Sequence, residues 1–200
     1  MAAAEIFAER GFRAASVEEI AERAGFSKGA VYWHFESKDD LFFALLAERI
    51  DRPTWEMIEL LESAPPDQDM APEASQRFAE IVEGQRELVL LEHEYWSLAV
   101  RDPGLRRRYA KRQAALRQAL GRALHARAEH LGAPPLGMPA EEMATAFLGL
   151  AYGLALERLI DPQAVPEHLL GETFALIYGG LVARAQRAPE ARAGTKAGEP

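Results

Sequence analysis

Apolar residues recur at i, i+3 and i+4 along this 200-residue chain, and no window alternates apolar with polar residues as a half-buried strand would. That periodicity restricts the fold to packed α-helices. Ala3, Ile6, Phe7 and Phe12 mark a first short helix that Gly11 stops. Ser16 caps a second, and Glu19 three residues on completes a capping box. Its inward stripe is Val17, Ile20, Ala21 and Ala24, and Gly25 ends it. Ser27 caps a very short third helix, broken at Glu36 and Ser37. Ser37 with Asp40 begins a fourth, which reads on through Leu41, Leu45, Leu46 and Ile50 toward Leu61 despite Pro53.

Beyond the proline- and acid-rich stretch 63–73, longer amphipathic helices are predicted over 72–100, 105–131, 140–160 and 166–186. The last segment, 188–200, has no apolar stripe and reads as a disordered tail. No internal repeat is visible. The predicted fold is all-α, with three tight amino-terminal helices ahead of a larger bundle. The expected division is 1–45, 46–187 and the tail 188–200.

Composition narrows the function. Apolar residues at 48% and charged ones at 27% are ordinary globular usage. The absence of cysteine excludes disulfide scaffolds, thiolate metal sites and cysteine nucleophiles, and points to a reducing cytoplasm. No signal segment is expected, because charges interrupt the first apolar stretch. The longest apolar run, 143–156, is shorter than a bilayer span and lies between Glu142 and Glu157, so no membrane partner is expected. A formal charge of -8 argues against a broadly basic nucleic-acid binder, but leaves room for a small site of a few placed cations.

The amino-terminal residues supply such a site. Two short helices separated by "AGFS" form a helix-turn-helix pattern, with Gly25 at the turn and Phe26 expected to plug the core between them. In the third helix Val31 and Phe35 share the inward face. Lys28, Gly29, Tyr32, Trp33 and His34 are left outside. Small residues at its start would let the helix end approach a major groove while Lys28 and backbone N–H groups meet phosphates or base edges. Tyr32 and Trp33 would touch thymine methyls or the sugar-phosphate wall, His34 a phosphate, and Lys38 would add a charge at the next helix. A Tyr-Trp pair also suits a core or a domain interface; the caps, Gly turn, small residues and cations taken together favour DNA.

The stretch "GFRAASVEEIAERAGFSKGAVYWHFESKDDLFFALL" resembles the amino-terminal domain of TetR/AcrR-family transcriptional regulators. The resemblance implies a homodimer whose third helix reads a double-stranded, palindromic operator and whose carboxy-terminal domain binds a small-molecule effector. The expected function is that of a repressor released by the effector. By position it carries DNA contact onto Ser16, Lys28, Gly29, Ala30, Tyr32, Trp33, His34 and Lys38. The chain begins inside the family's first helix, without its short, often basic arm, and Glu18 stands where some members present a basic residue.

The carboxy-terminal part resembles the family weakly. In "LVLLEHEYWSLAV" the aromatic residues Tyr95 and Trp96 are interleaved with Glu92 and His93, which suits an effector pocket or a core helix with a polar face. Phe78, Tyr109, Phe147 and Tyr152 would face the same cavity or pack in the core. The Arg-rich segment 105–131 carries a stripe of Leu105, Tyr109, Leu116, Leu120, Leu124 and Leu131, so most of its Arg residues are expected on a solvated face. The last two helices are apolar around much of their circumference and carry Gly149, Gly153, Gly179 and Gly180, each costing about 1 kcal/mol of helix propensity. Pairing with a second chain in a four-helix bundle would account for both features. The expected interface is Leu148, Gly149, Ala151, Gly153, Phe174, Ile177, Tyr178 and Leu181.

Enzymatic function is disfavoured. His93, His125, His130 and His168 are scattered, and no nucleophile, phosphate-loop, dinucleotide or metal motif occurs. No catalytic residue, metal or cofactor is expected.

Overall fold

A computed structural model of the chain describes residues 2–65 and 67–195, with side chains through Arg187. The expected tail, 188–200, lies outside the described side chains and, from 196, outside the described residues. Among those described there is no strand. The helices are α1 (Ala2–Ala14), α2 (Val17–Ala24), α3 (Lys28–His34), α4 (Lys38–Leu46), α5 (Arg52–Ser63), α6 (Ala71–Gly84), α7 (Arg86–Arg101), α8 (Pro103–His130), α9 (Ala140–Ile160) and α10 (Leu169–Thr195). A π turn, Ala47–Asp51, joins α4 to α5.

Three local features differ from the sequence pattern. The fourth helix is not uniformly α-helical. Pro53 has no N–H for the carbonyl four residues back, and its ring crowds that carbonyl. The helix opens just ahead of it, so that the Arg52 N–H reaches the Ala47 carbonyl. The predicted helix 72–100 breaks at Gly84 and Gln85, where Gln85 leaves the helical region at φ -127, ψ 30. Phe26 does not plug the turn; it is 65% exposed, while its N–H closes the end of α2 on the Ala21 carbonyl.

The chain forms two compact units. The first is Met1–Thr54 with Glu80–Arg112. Its core joins Ile6, Phe7, Phe12, Ile20, Val31 and Phe42 to Leu88, Leu91, Tyr95 and Ala99 of α7. At its centre Phe12 and Phe42 lie 4.9 and 5.1 Å from the fully buried Tyr95 ring. The segment 1–45 thus shares its core with α7, whose apolar face completes a cluster too small to close alone.

The second unit is Trp55–Ala79 with Gln113–Pro200. Its cores gather Leu124, Leu136, Met143, Phe147 and Ala185 in one cluster, and Ile58, Leu116, Ala119 and Ala123 in another. Two close helix approaches are fixed by glycine. A Cβ on Gly121 would stand 2.5 Å from the Ala140 carbonyl, and one on Gly171 would collide with the Ala71 carbonyl. By contrast nothing lies within 4 Å of a Cβ on Gly149, Gly153, Gly179 or Gly180. Those glycines therefore do not serve packing within the chain.

The run 143–156 is part of a longer apolar helix, α9, whose 21 residues and mean window hydropathy of 1.4 match a membrane span by length and composition. Its Met143, Ala144, Phe147, Ala155 and Leu159 are buried within the second unit, and 28% of the apolar window as a whole is buried.

Candidate nucleic-acid interface and ligand cavity

In the first unit α2 and α3 are each defined by their own caps. Ser16 Oγ accepts the Glu19 N–H at 3.2 Å, and the Glu19 carboxylate accepts the Ser16 N–H at 3.0 Å. Gly25 at φ 74 ends α2 in the left-handed conformation that a side chain would resist. Ser27 Oγ accepts the Ala30 N–H at 3.1 Å and starts α3.

With Val31 buried and Phe35 partly buried, α3 presents Tyr32, Trp33 and His34 outward. Trp33 is 82% exposed, and its ring meets that of His34 edge-on at 4.7 Å. Gly29 and Ala30, also exposed, keep the start of the helix free of bulk. Lys28 is exposed too, but it is ion-paired to Glu18, which raises the ammonium pKa and lowers that of the carboxylate. Its Nζ lies 5.7 Å from the Tyr32 ring centroid. Glu18 would compete with a phosphate for Lys28.

Two sequence candidates also hold the scaffold together. Ser16 is engaged by Glu19 on both its backbone and its hydroxyl. Lys38 is partly buried, and its Nζ donates to the carbonyls of Phe12, Arg13 and Ala15 at 2.7, 3.0 and 2.9 Å. It closes the carboxyl end of α1, where a cation is favoured by the carbonyls left without helical partners. The exposed Phe26 flanks α3 in sequence and was missed as a surface residue; an apolar residue beside a glycine turn gives no sign of which way it faces.

The scaffold is tied further by α7 and α8. Glu94 accepts the N–H of Phe12 and, more weakly, of Arg13. Tyr95 donates its hydroxyl to Asp39 at 2.8 Å, and burial together with that carboxylate raises the phenol pKa. Arg108 reaches Ser37 and Asp40 at the start of α4. Below them Arg112 donates to Asp51 in the π turn at 2.9 Å and to Glu92 at 2.6 Å, and Tyr109 donates to Glu92. Burial raises the Asp51 carboxyl pKa against the pull of Arg112, whose own pKa is raised by both acids.

The residues expected around one effector pocket fall in both units. Glu92, Tyr95 and Tyr109 belong to this charge network and aromatic core of the first unit. His93 and Trp96, stacked at 5.6 Å, lie on the surface of α7. In the second unit Phe78 is buried, and Tyr152 donates its hydroxyl to Gln113 at 3.0 Å. Of that set only Phe147 lines the second unit's cavity of about 400 Å³.

That cavity is bounded by Met57, Ile58, Leu61, Leu120, Leu124, Phe147, Phe174 and Tyr178, with Asp67, Gln68, Asp69 and Met70 at one end. Its one cationic wall residue is Arg127, only 7% exposed. Phe174 and Tyr178, expected at a dimer interface, also line this cavity, and Leu181 packs against the neighbouring core. Gly149, Gly153 and Ile177 are exposed, and Leu148 and Ala151 are partly buried. Ile160 and Leu176, which the sequence did not single out, are about 80% exposed on the same two helices.

Residues 1–45 match the model of bacterial regulatory proteins of the tetR family, and residues 78–175 match the carboxy-terminal model of BetI-type transcriptional repressors. The HTH-type transcriptional activator FasR of Mycolicibacterium smegmatis is 49% identical over 51 residues, which are 26% of this chain and 23% of FasR. This chain thus spans about a quarter of FasR's length. NalD of Pseudomonas aeruginosa, the secondary repressor of the MexAB-OprM multidrug efflux pump, superposes with a TM-score of 0.63 at 27% identity over 90% of this chain and 91% of its own. FadR of Bacillus subtilis in complex with stearoyl-CoA superposes with a TM-score of 0.68 at 21% identity over 90% and 94%, which shows a shared fold.

Proposed function

The chain belongs to the tetR family of bacterial regulatory proteins, and from that premise we propose that it is a repressor that binds a palindromic operator as a homodimer and is released by a small molecule. The observation that carries this reading is α3 itself, a separately capped helix that projects Tyr32, Trp33 and His34 from a scaffold whose own backbone groups are satisfied by Lys38 and Glu94. An exposed Trp costs hydrophobic free energy unless a partner covers it, and a groove wall of sugars and thymine methyls is such a partner. Family members are transcriptional regulators, not enzymes, and this chain requires no cofactor for the proposed role. It would act in the cytoplasm, where the operator is.

Homodimerisation is supported by α9 and α10. Ile160, Leu176 and Ile177 are exposed there, beside glycines with open space around them, which suits close approach by the same helices of a second chain. A dimer must hold its two α3 helices about 34–36 Å apart to enter successive major grooves. An effector in the second unit's cavity would release DNA only by binding more tightly to a conformation with another separation. The linking segment, α4 through α5, contains the π turn, a natural place for that change to be absorbed.

The test is binding selection from random duplex DNA, with sedimentation of the free protein and its complex. Enrichment of an inverted repeat bound by two chains is the expected result. A stable monomer that enriches no inverted repeat would overturn the proposal.

A further inference from the structure

Among its described residues the second unit buries a cation that no carboxylate pairs. Arg127 lines the 400 Å³ cavity at 7% exposure, and among the described residues its guanidinium donates to the neutral carbonyls of Ala64 and Gln68. Among the described residues it forms no ion pair. The contrast with Arg112 is instructive. That guanidinium, 11% exposed, is met by two carboxylates. A buried charge without a counter-ion is costly, and breaking such a pair typically costs several kcal/mol. One buried guanidinium is neutralised within the fold; the other faces an apolar chamber.

We propose that the cavity takes an apolar molecule bearing one carboxylate, with Arg127 as the group that receives it. The guanidinium fork matches a carboxylate in two parallel hydrogen bonds, and such a pair strengthens where burial lowers the local dielectric. Met57, Leu61, Leu124, Phe147 and Phe174 supply the wall for the apolar body. The volume lies near the lower end of the range for ligand sites, so it suits a single compact molecule rather than a large conjugate. Asp67 and Asp69 also border the cavity, but both are exposed, and Asp69 accepts the Ala71 N–H at the start of α6. Exposed acids are screened by salt, whereas the enclosed guanidinium is not. This inference rests on the reading of the second unit as the effector-binding part.

The test is calorimetric titration of the full-length protein with dodecanoate, dodecanol and dodecyltrimethylammonium, each below its micellar concentration. Dodecanoate should bind at least about tenfold more tightly than the alcohol, the change expected for one charge-assisted hydrogen bond. The ammonium should bind more weakly still. Arg127→Gln should remove the preference for dodecanoate over dodecanol, while Arg127→Lys keeps part of it. Equal affinity for dodecanoate and dodecanol in the unaltered protein, or tighter binding of the ammonium, would overturn the proposal without any variant having to fold. Operator release is read separately by adding dodecanoate to the complex with the selected duplex. Selective binding of dodecanoate without release would uphold the carboxylate site and refute the effector role instead.

Discussion

Glu94 of α7 accepts the backbone N–H of Phe12 at 3.0 Å across a sequence separation of 82 residues. The same carboxylate stands 3.0 Å from where a Cβ on Gly11 would be. Gly11 has φ 73 and ψ 167, so the chain turns there in a way that exposes the Phe12 and Arg13 N–H groups, and Glu94 takes both. Lys38 takes the carbonyls of the same segment. The connection between α1 and α2 is therefore held from outside the helix-turn-helix, by donors on one side and acceptors on the other.

Glu94→Ala should lower stability by about 1–3 kcal/mol, because partly buried N–H groups lose their acceptor, and should weaken operator binding. Glu94→Gln should recover most of the loss. Denaturant unfolding with operator titration decides this; an Ala variant as stable as the parent would remove the clamp from the account.

Trp33 and Lys38 should separate contact from scaffold. Trp33→Ala should weaken operator binding by roughly 1–3 kcal/mol and leave the melting temperature unchanged, since the ring is 82% exposed. Lys38→Ala should lower both, because its ammonium joins three carbonyls. Thermal melts beside operator titrations check this. A Lys38→Ala protein that keeps its melting temperature but loses salt dependence would return the lysine to the DNA surface.

The network around Arg112 gives a pH prediction. Arg112→Met leaves Asp51 and Glu92 buried without their cation, at a cost of about 3–5 kcal/mol near neutral pH. Burial already sets the folded pKa of Asp51 above its unfolded value. A carboxyl raised in this way favours the folded state as it takes up its proton, so acidification should recover part of the variant's loss. Melting both proteins at pH 7.5 and at pH 5 measures it; a deficit that stays constant or widens toward acid contradicts the assignment.

The glycines divide into two groups. Gly171→Ala should be severely destabilising, since its Cβ would collide with the Ala71 backbone. Gly149→Ala and Gly179→Ala meet nothing within the chain and should gain up to about 1 kcal/mol of helix stability. Each should nonetheless weaken self-association if α9 and α10 pair with a second chain. Analytical ultracentrifugation against thermal stability distinguishes these outcomes, and unchanged association in both variants would move the dimer interface elsewhere.

The local grammar of the amino-terminal helices was legible in the sequence because every signal in it acts over a few residues. Ser16 with Glu19, Gly25 and Ser27 each satisfy or release backbone groups nearby, so the starts of α2 and α3 and the turn between them follow from the order of residues alone. The outward face of α3 follows from Val31 and its period, while the side of Phe26, outside any helix, does not.

Tertiary structure alone decided which charges are interior. Arg112 and Arg127 both fall on the apolar stripe of α8, in step with Tyr109 and Leu116 and with Leu124 and Leu131, yet the sequence could not say what would meet them. Asp51 and Glu92 arrive at Arg112 from sequence separations of 61 and 20 residues. Among the described residues no carboxylate pairs with Arg127, which meets the carbonyls of Ala64 and Gln68. Periodicity fixes the side of a helix on which a residue lies; whether a partner or an open cavity faces it depends on long-range packing, which no local pattern encodes.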